Sequence, residues 1–124
     1  KILDRNNMLP KKYRLSAKEF QNLYKNGFKV KGKYGMLISK LNSRNTPLFG
    51  FVVSKKIGKA VQRNRMTRLL RVISMEAVKE FELKGRNFQY IAFEFCDSYQ
   101  DLKEEFFSQV KQILENEENS ALVN

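Results

Sequence analysis

The apolar positions change period several times along the chain, and each change marks an element. Phe20, Leu23 and Tyr24 recur at three- and four-residue spacing after Ser16-Ala17-Lys18-Glu19. That tetrad is a capping-box pattern, in which the serine takes free amides and the glutamate reaches back. A short helix is predicted, ended at Gly27 as a residue tolerant of positive φ. Residues 34–41 alternate, with Tyr34, Met36 and Ile38 pointing one way and Leu37, Ser39 and Leu41 the other. This is the period of a strand. Residues 42–47 are turn-rich. Residues 48–53 are nearly all apolar, which predicts a central strand buried on both faces, paired with 34–41 as an antiparallel hairpin. Beyond Gly58 the period becomes helical. Met66, Leu69, Leu70, Ile73, Ala77 and Phe81 share one face at about 100° per residue, predicting a helix over 60–82 stopped by Gly85. Residues 87–95 alternate again, with Ile91, Phe93 and Phe95 on one face and Phe88, Tyr90 and Ala92 on the other. Ser98 and Asp101 open a last helix whose buried stripe is Leu102, Phe106, Val110 and Ile113 or Leu114.

The predicted order is α-β-β-α-β-α, with room for a short extra strand near 28–31. Strand 48–53, the long helix and strand 87–95 form a βαβ unit. Residues 1–124 read as one domain without repeats or linkers. Residues 1–15, around Pro10, read as a basic extended arm, and 115–124 as a frayed polar end.

Charge divides this pattern in two. The net charge is +11 over 124 residues. Residues 1–71 hold 19 Lys and Arg against 2 acids, while residues 72–124 hold 5 against 11. Such polarity predicts a basic face for nucleic acid or an anionic membrane and a neutral or acidic back. The segment 54–71 alone carries Lys55, Lys56, Lys59, Arg63, Arg65, Arg68 and Arg71 and no acid.

On this helix Asn64, Arg68 and Arg71 lie opposite the apolar face, with Arg65 and Thr67 on the flanks. Like charges three and four apart destabilise an isolated helix, so an external polyanion is the partner that offsets them. Arginines bind phosphate bidentately and stack on bases, and the helix N-terminus supplies amide donors. Phe20 and Tyr24 admit two readings. They are ordinary core, or they line a cleft over the Tyr34/Met36/Ile38 face, near Lys29, Lys31 and Lys33, suited to single-stranded RNA stacking.

Candidate catalytic chemistry is sparse. There is no histidine, and Cys96 is the one cysteine. These remove the commonest general base, the Ser/His and Cys/His nucleophile pairs, any intramolecular disulfide and a thiolate zinc site. Glu104/Glu105 and Glu115/Glu117/Glu118 read as solvated helix surface, far from the cations. A metal-dependent nuclease needs acids among its basic residues. No apolar run approaches a membrane span and no signal-peptide core is visible. A cytoplasmic location follows as the expectation, and because the sequence begins at Lys1, a few residues are expected upstream.

The run from Phe51-Val52-Val53-Ser54-Lys55-Lys56-Ile57-Gly58-Lys59-Ala60-Val61 through Arg63-Asn64-Arg65 to Arg71 resembles the signature of the bacterial ribonuclease P protein component. Residues 12–27, with Phe20 and Tyr24, look like that family's first helix, and Tyr90-Ile91-Ala92 like its last strand. The resemblance covers about 8–114. Two positions depart from it: Thr67 stands where a second cation is usual, and Phe93 where an arginine is usual. The resemblance implies an α+β two-layer sandwich with a central mixed sheet and a left-handed βαβ crossover. Physical preference alone would choose the right-handed form. It further implies a subunit that joins a catalytic RNA to remove the 5′ leader of precursor tRNA. The RNA requires Mg²⁺ and does the chemistry, so the protein contributes no catalytic residue, metal site or cofactor, and no further protein partner is required. Lys55, Lys59, Arg65, Arg68 and Arg71 would bind the catalytic RNA. Phe20, Tyr24, Met36, Ile38, Lys56, Arg63 and Asn64 would line the leader cleft. The other readings are a generic RNA-binding or ribosome-associated protein, a membrane-surface protein and an independent nuclease. The membrane reading conflicts with the need for Leu69, Leu70 and Ile73 in the core.

Overall fold

The computed structural model describes residues 9–123, with 117–123 described as backbone only. Three helices and four strands follow one another: α1 (Ala17–Asn26), β1 (Phe28–Lys31), β2 (Gly35–Leu41), β3 (Leu48–Val52), α2 (Ala60–Glu80), β4 (Arg86–Ala92) and α3 (Tyr99–Val123). Short 3₁₀ turns at Lys11–Tyr13 and Lys55–Ile57 precede α1 and α2. The fold is α+β, as expected, and the short strand near 28–31 exists.

Helix starts follow the sequence closely. Ser16 Oγ accepts from Glu19 N at 3.2 Å, while the Glu19 carboxylate accepts from Ser16 N at 3.2 Å. Ser98 Oγ likewise accepts from Asp101 N at 3.2 Å. Helix ends are less legible. Gly27 has an extended backbone at φ −81°, so the predicted positive φ is corrected. A Cβ there would instead strike Ile38. Helix α2 stops at Glu80, and Gly85, at φ +83°, serves the turn into β4. Helix α3 continues to Val123, along a stretch free of the helix breakers Pro and Gly.

The strand order is β1-β2-β4-β3. Strands β2 and β4 are antiparallel, with Ile38 opposite Gln89, whereas β3 and β4 are parallel, with Phe49 opposite Phe88. The predicted hairpin of 34–41 with 48–53 is therefore wrong, as is the central position of the second strand. The crossover through α2 returns the chain beside β3, and β4 takes the place a hairpin partner would hold. Strand β4 suits the centre, with Asn87, Phe88, Gln89 and Tyr90 all buried. Strand β3 is an edge whose apolar character is explained by what covers it. Arg14 bridges to Phe49, Leu15 N donates to Phe49 O at 3.0 Å, and Leu9 is buried. The described part of the predicted arm, residues 9–15, is thus packed on β3; residues 1–8 lie outside the described residues.

Helices α2 and α3 seal one face of the sheet. Leu37, Phe88, Tyr90, Leu70, Ile73, Phe106 and Val110 are all at most 1% exposed. Phe49 stacks on Phe88 at 5.2 Å between centroids, and Tyr90 tilts against Phe106 at 5.9 Å. Two groups of α3 also pin the β1–β2 turn. Gln109 Nε2 donates to Val30 O and Gly35 O at 3.0 and 2.9 Å, and the Glu105 carboxylate accepts from Lys33 N and from Tyr34 N, the latter at 2.9 Å. Glu105 is therefore a turn anchor rather than solvated surface. Tyr34 precedes the strand and packs against this core, not beside Met36.

Candidate nucleic-acid interface

On the opposite face the sheet has a single cover, the ten-residue α1. Rows of cross-strand neighbours define what it covers. One row is Lys29–Ile38–Gln89–Gly50, and the next is Lys31–Met36–Ile91–Val52. Helix α1 lies along the first. Gly27 meets Ile38 at one end, and at the other Phe20 lies so close to Gly50 that an added Cβ would sit 2.5 Å from its ring. Glycine at that position lets an aromatic ring rest on the strand backbone.

Leu23 and Ile38, at 1% and 0% exposure, close the space under the helix, and Met36 is also buried. Ile38 and Met36 were expected to line a cleft; they lie beneath α1 instead, because the helix crosses β2 directly. The exposed floor shifts to β3 and β4, where Val52 and Ile91 are half-buried. Tyr24 is exposed on α1, with Lys29 Nζ 5.5 Å from its ring centre. Glu19, on the far flank, pairs with Arg44 at 3.1 Å. At about 100° per residue, Phe20 and Tyr24 then occupy the flank turned toward the open row. They serve both of the readings weighed above: Phe20 is half-buried and Tyr24 exposed.

The open strip ends in a cavity of about 380 Å³ lined by Val52, Ser54, Lys56, Ile57, Ile91, Ala92 and Phe93. Of the expected cleft residues, Lys56 lies here. Phe93 follows β4, and its N–H donates to Tyr34 O at 2.7 Å, so the strand alternation carries it to the side of Ile91. The sequence had already placed Ile91 and Phe93 on one face. What it missed was that Val52, Ile91 and Phe93, rather than Met36 and Ile38, form the accessible floor.

The basic segment stands beside this cavity. Ile57 is buried and anchors the 3₁₀ turn, leaving Lys55 and Lys56 exposed. Gln62 Oε1 accepts from Lys59 N at 2.9 Å, and Arg63 Nε donates to Gly58 O at 3.2 Å, so the turn is tied to the first turn of α2. Arg63 and Asn64 sit outside the cavity lining, Arg63 half-buried and Asn64 exposed. Arg68 is exposed. Arg71 lies over the edge of β3 with Thr67, Arg14, Phe49 and Phe51 around a second cavity of about 300 Å³. The Thr67 hydroxyl donates to Arg63 O at 2.8 Å, a use unrelated to charge. Sequence spacing showed no acid near these cations, yet Asp97 reaches Arg65 at 3.4 Å. Both side chains are about half exposed, a geometry worth at most ~1 kcal/mol. Among the described residues, no acid pairs with Lys55, Lys56, Lys59 or Arg68.

Among the described residues no group of three or more His, Cys, Asp or Glu is gathered, and no helix is long and apolar enough to cross a membrane. Burial pushes the Cys96 thiol above its ordinary range, which keeps it protonated and a poor nucleophile. The arrangement sets a row of exposed cations on α2 beside an apolar, partly open strip of β3 and β4.

Comparison with known proteins identifies a family and its relatives. A family model described as Ribonuclease P matches residues 9–116. The ribonuclease P protein component of Syntrophomonas wolfei is 36% identical over 81 residues, covering 64% of this chain and 65% of the relative. The chain thus spans less than two thirds of that relative's length. The ribonuclease P protein component of Bacillus cereus is 35% identical over 100 residues, covering 77% of this chain and 85% of the relative. The solved RNase P protein from Thermotoga maritima is 28% identical, with a TM-score of 0.59 over 83% of this chain and 92% of that one.

Proposed function

Because the chain belongs to the ribonuclease P protein family, we propose that it is the protein subunit of a ribonuclease P ribonucleoprotein acting on precursor tRNA in the cytoplasm. It binds the catalytic RNA and the 5′ leader of the substrate, and promotes endonucleolytic removal of that leader. The observation that carries the reading is the adjacency of two different surfaces. An arginine-rich helix face stands next to an apolar floor on β3 and β4, flanked by the aromatic residues of α1, that ends at Lys56.

The two surfaces divide the work. Lys55, Lys59, Arg65, Arg68 and Arg71 meet phosphates of the catalytic RNA, an interaction dominated by charge and counterion release. Phe20 and Tyr24 offer ring faces to leader bases, over Ile91 and Val52. Arg63 and Asn64, on the first turn of α2, meet the backbone of the leader where it leaves the catalytic RNA, and Lys56 meets it at the end of the floor. Met36 and Ile38 support the floor from beneath α1. The Mg²⁺ ions that cleavage requires belong to the RNA. The protein's part is to hold the substrate in place, the kind of contribution that positioning makes to a barrier.

The test is reconstitution with a bacterial ribonuclease P RNA at low Mg²⁺, with a precursor tRNA as substrate. Cleavage is expected to be faster than with the RNA alone. A rate no better than that of the bare RNA would end this reading.

A further inference from the structure

The exposed ring of Phe93 has no role in the division of work just described. Single exposed apolar residues are common on protein surfaces and need no explanation. Phe93 differs in its setting. It is 46% exposed and forms the rim of the 380 Å³ cavity with Ile57, Ile91 and Val52 at its base and Lys56 beside it. Its backbone is held by the hydrogen bond to Tyr34 O. Tyr34 is in turn fixed by Glu105, at 2.9 Å from its amide. The ring is therefore carried on the bend just past the end of β4, with its backbone tied to the β1–β2 turn.

We infer that Phe93 is a stacking platform for one further nucleotide of a single-stranded leader, with Lys56 taking the adjoining phosphate. This rests on the leader-binding reading above and extends it to the far end of the floor. Three features of the site favour a nucleobase. The cavity floor is apolar, its rim is a ring face open to solvent, and its cation is single and exposed. This combination of stacking surface and backbone charge binds single strands with little base preference. A ring face makes the contact require that a base be present to stack on it, whichever base that is.

The experiment uses the reconstituted holoenzyme and precursor tRNAs whose 5′ leaders are lengthened one nucleotide at a time. Affinity should rise in a step when the leader reaches Phe93. Phe93→Ala should remove that step, a loss of about 5- to 140-fold, confined to leaders long enough to reach the ring. Phe93→Leu, which keeps apolar bulk without a ring, should lose it too, while Phe93→Tyr should keep it. An abasic nucleotide at the step position should abolish the difference between wild type and Phe93→Ala. A 2-aminopurine base at that position should be quenched by the wild type and not by Phe93→Ala. If Phe93→Ala and wild type show the same leader-length profile and the same quenching, the platform is disproved. Phe20→Ala with Tyr24→Ala separates the two levels. A leader-dependent loss there with no effect of Phe93→Ala overturns only this inference. No leader-dependent loss in either variant overturns the leader cleft itself.

Discussion

The two faces of the sheet use the same four strands and meet opposite fates. One is covered by two helices of 21 and 25 residues, the other by one helix of 10. On the first, Leu37, Phe88 and Tyr90 are at most 1% exposed; on the second, Ile91 and Val52 remain half-buried and Phe93 is open. The difference lies in the amount of helix allotted to each face, since both faces carry apolar side chains. A sheet face that is apolar and under-covered is a surface prepared for a partner. Helix α2 joins the two regimes, because its inner side, Met66, Leu70 and Ile73, belongs to the sealed core while its outer side carries Arg68.

Truncation on the sealed face should have the largest effect. Phe106→Ala should cost about 3–5 kcal/mol, a large part of the ~5–15 kcal/mol typical of a domain. Tyr24→Ala on the open face should stay within about 0.5 kcal/mol. Thermal or denaturant unfolding of both variants checks the contrast; equal losses would mean that the open face is core as well.

The next effect separates the two sides of α2. Arg65→Glu with Arg68→Glu should weaken binding to the catalytic RNA by about 10- to 100-fold and lower the magnitude of the salt slope by roughly one per lost phosphate contact. Unfolding should be nearly unchanged, because the Arg65–Asp97 pair is exposed and such pairs are worth ~0–1 kcal/mol. An unchanged salt slope would remove these arginines from the interface.

The smallest effect probes the sealed face from within. Burial raises the ionisation of the Tyr90 phenol well above its ordinary value, and its hydroxyl makes no hydrogen bond to the described protein. The unfolded chain ionises this group at its ordinary pKa of about 10, while the folded chain keeps it neutral. Its contribution to stability is thus fully present below about pH 10 and is lost as pH rises beyond it. Tyr90→Phe should leave stability at neutral pH unchanged or slightly higher and flatten the alkaline loss. Unfolding midpoints at pH 8 and pH 10.5 test this; an equally steep loss in the variant would show that the phenol is not responsible.

Much of the molecule was legible in the sequence wherever the cause is local. The Ser16/Glu19 cap, the Ser98 cap, the α3 stripe of Leu102, Phe106, Val110 and Ile113, and the basic outer side of α2 all follow from spacing within a few residues. The candidate site was legible as a set of residue types but less so as a surface. Lys56 lines the cavity at the end of the open strip and Phe20 and Tyr24 lie on the outer flank of α1, whereas Met36 and Ile38 are roofed by α1 and Val52, Ile91 and Phe93 are left uncovered. Asp97 beside Arg65 and Glu105 beneath the β1–β2 turn joined residues 32 and 71–72 apart in sequence, distances at which charge counting along the chain is blind.

By itself, then, the sequence determined which segments coil, which extend, which side of each is apolar, and that residues 54–71 form a cationic run without an acid. Period and capping are set by neighbours in the chain, and they report that a residue is covered without naming its cover. The tertiary structure alone decided that β4 lies between β2 and β3, that the apolar β3 is an edge wrapped by residues 9–15, and that α1 closes over Ile38 while leaving Ile91 open. Those outcomes depend on which of several apolar surfaces meet, a competition among non-local contacts that no local pattern encodes.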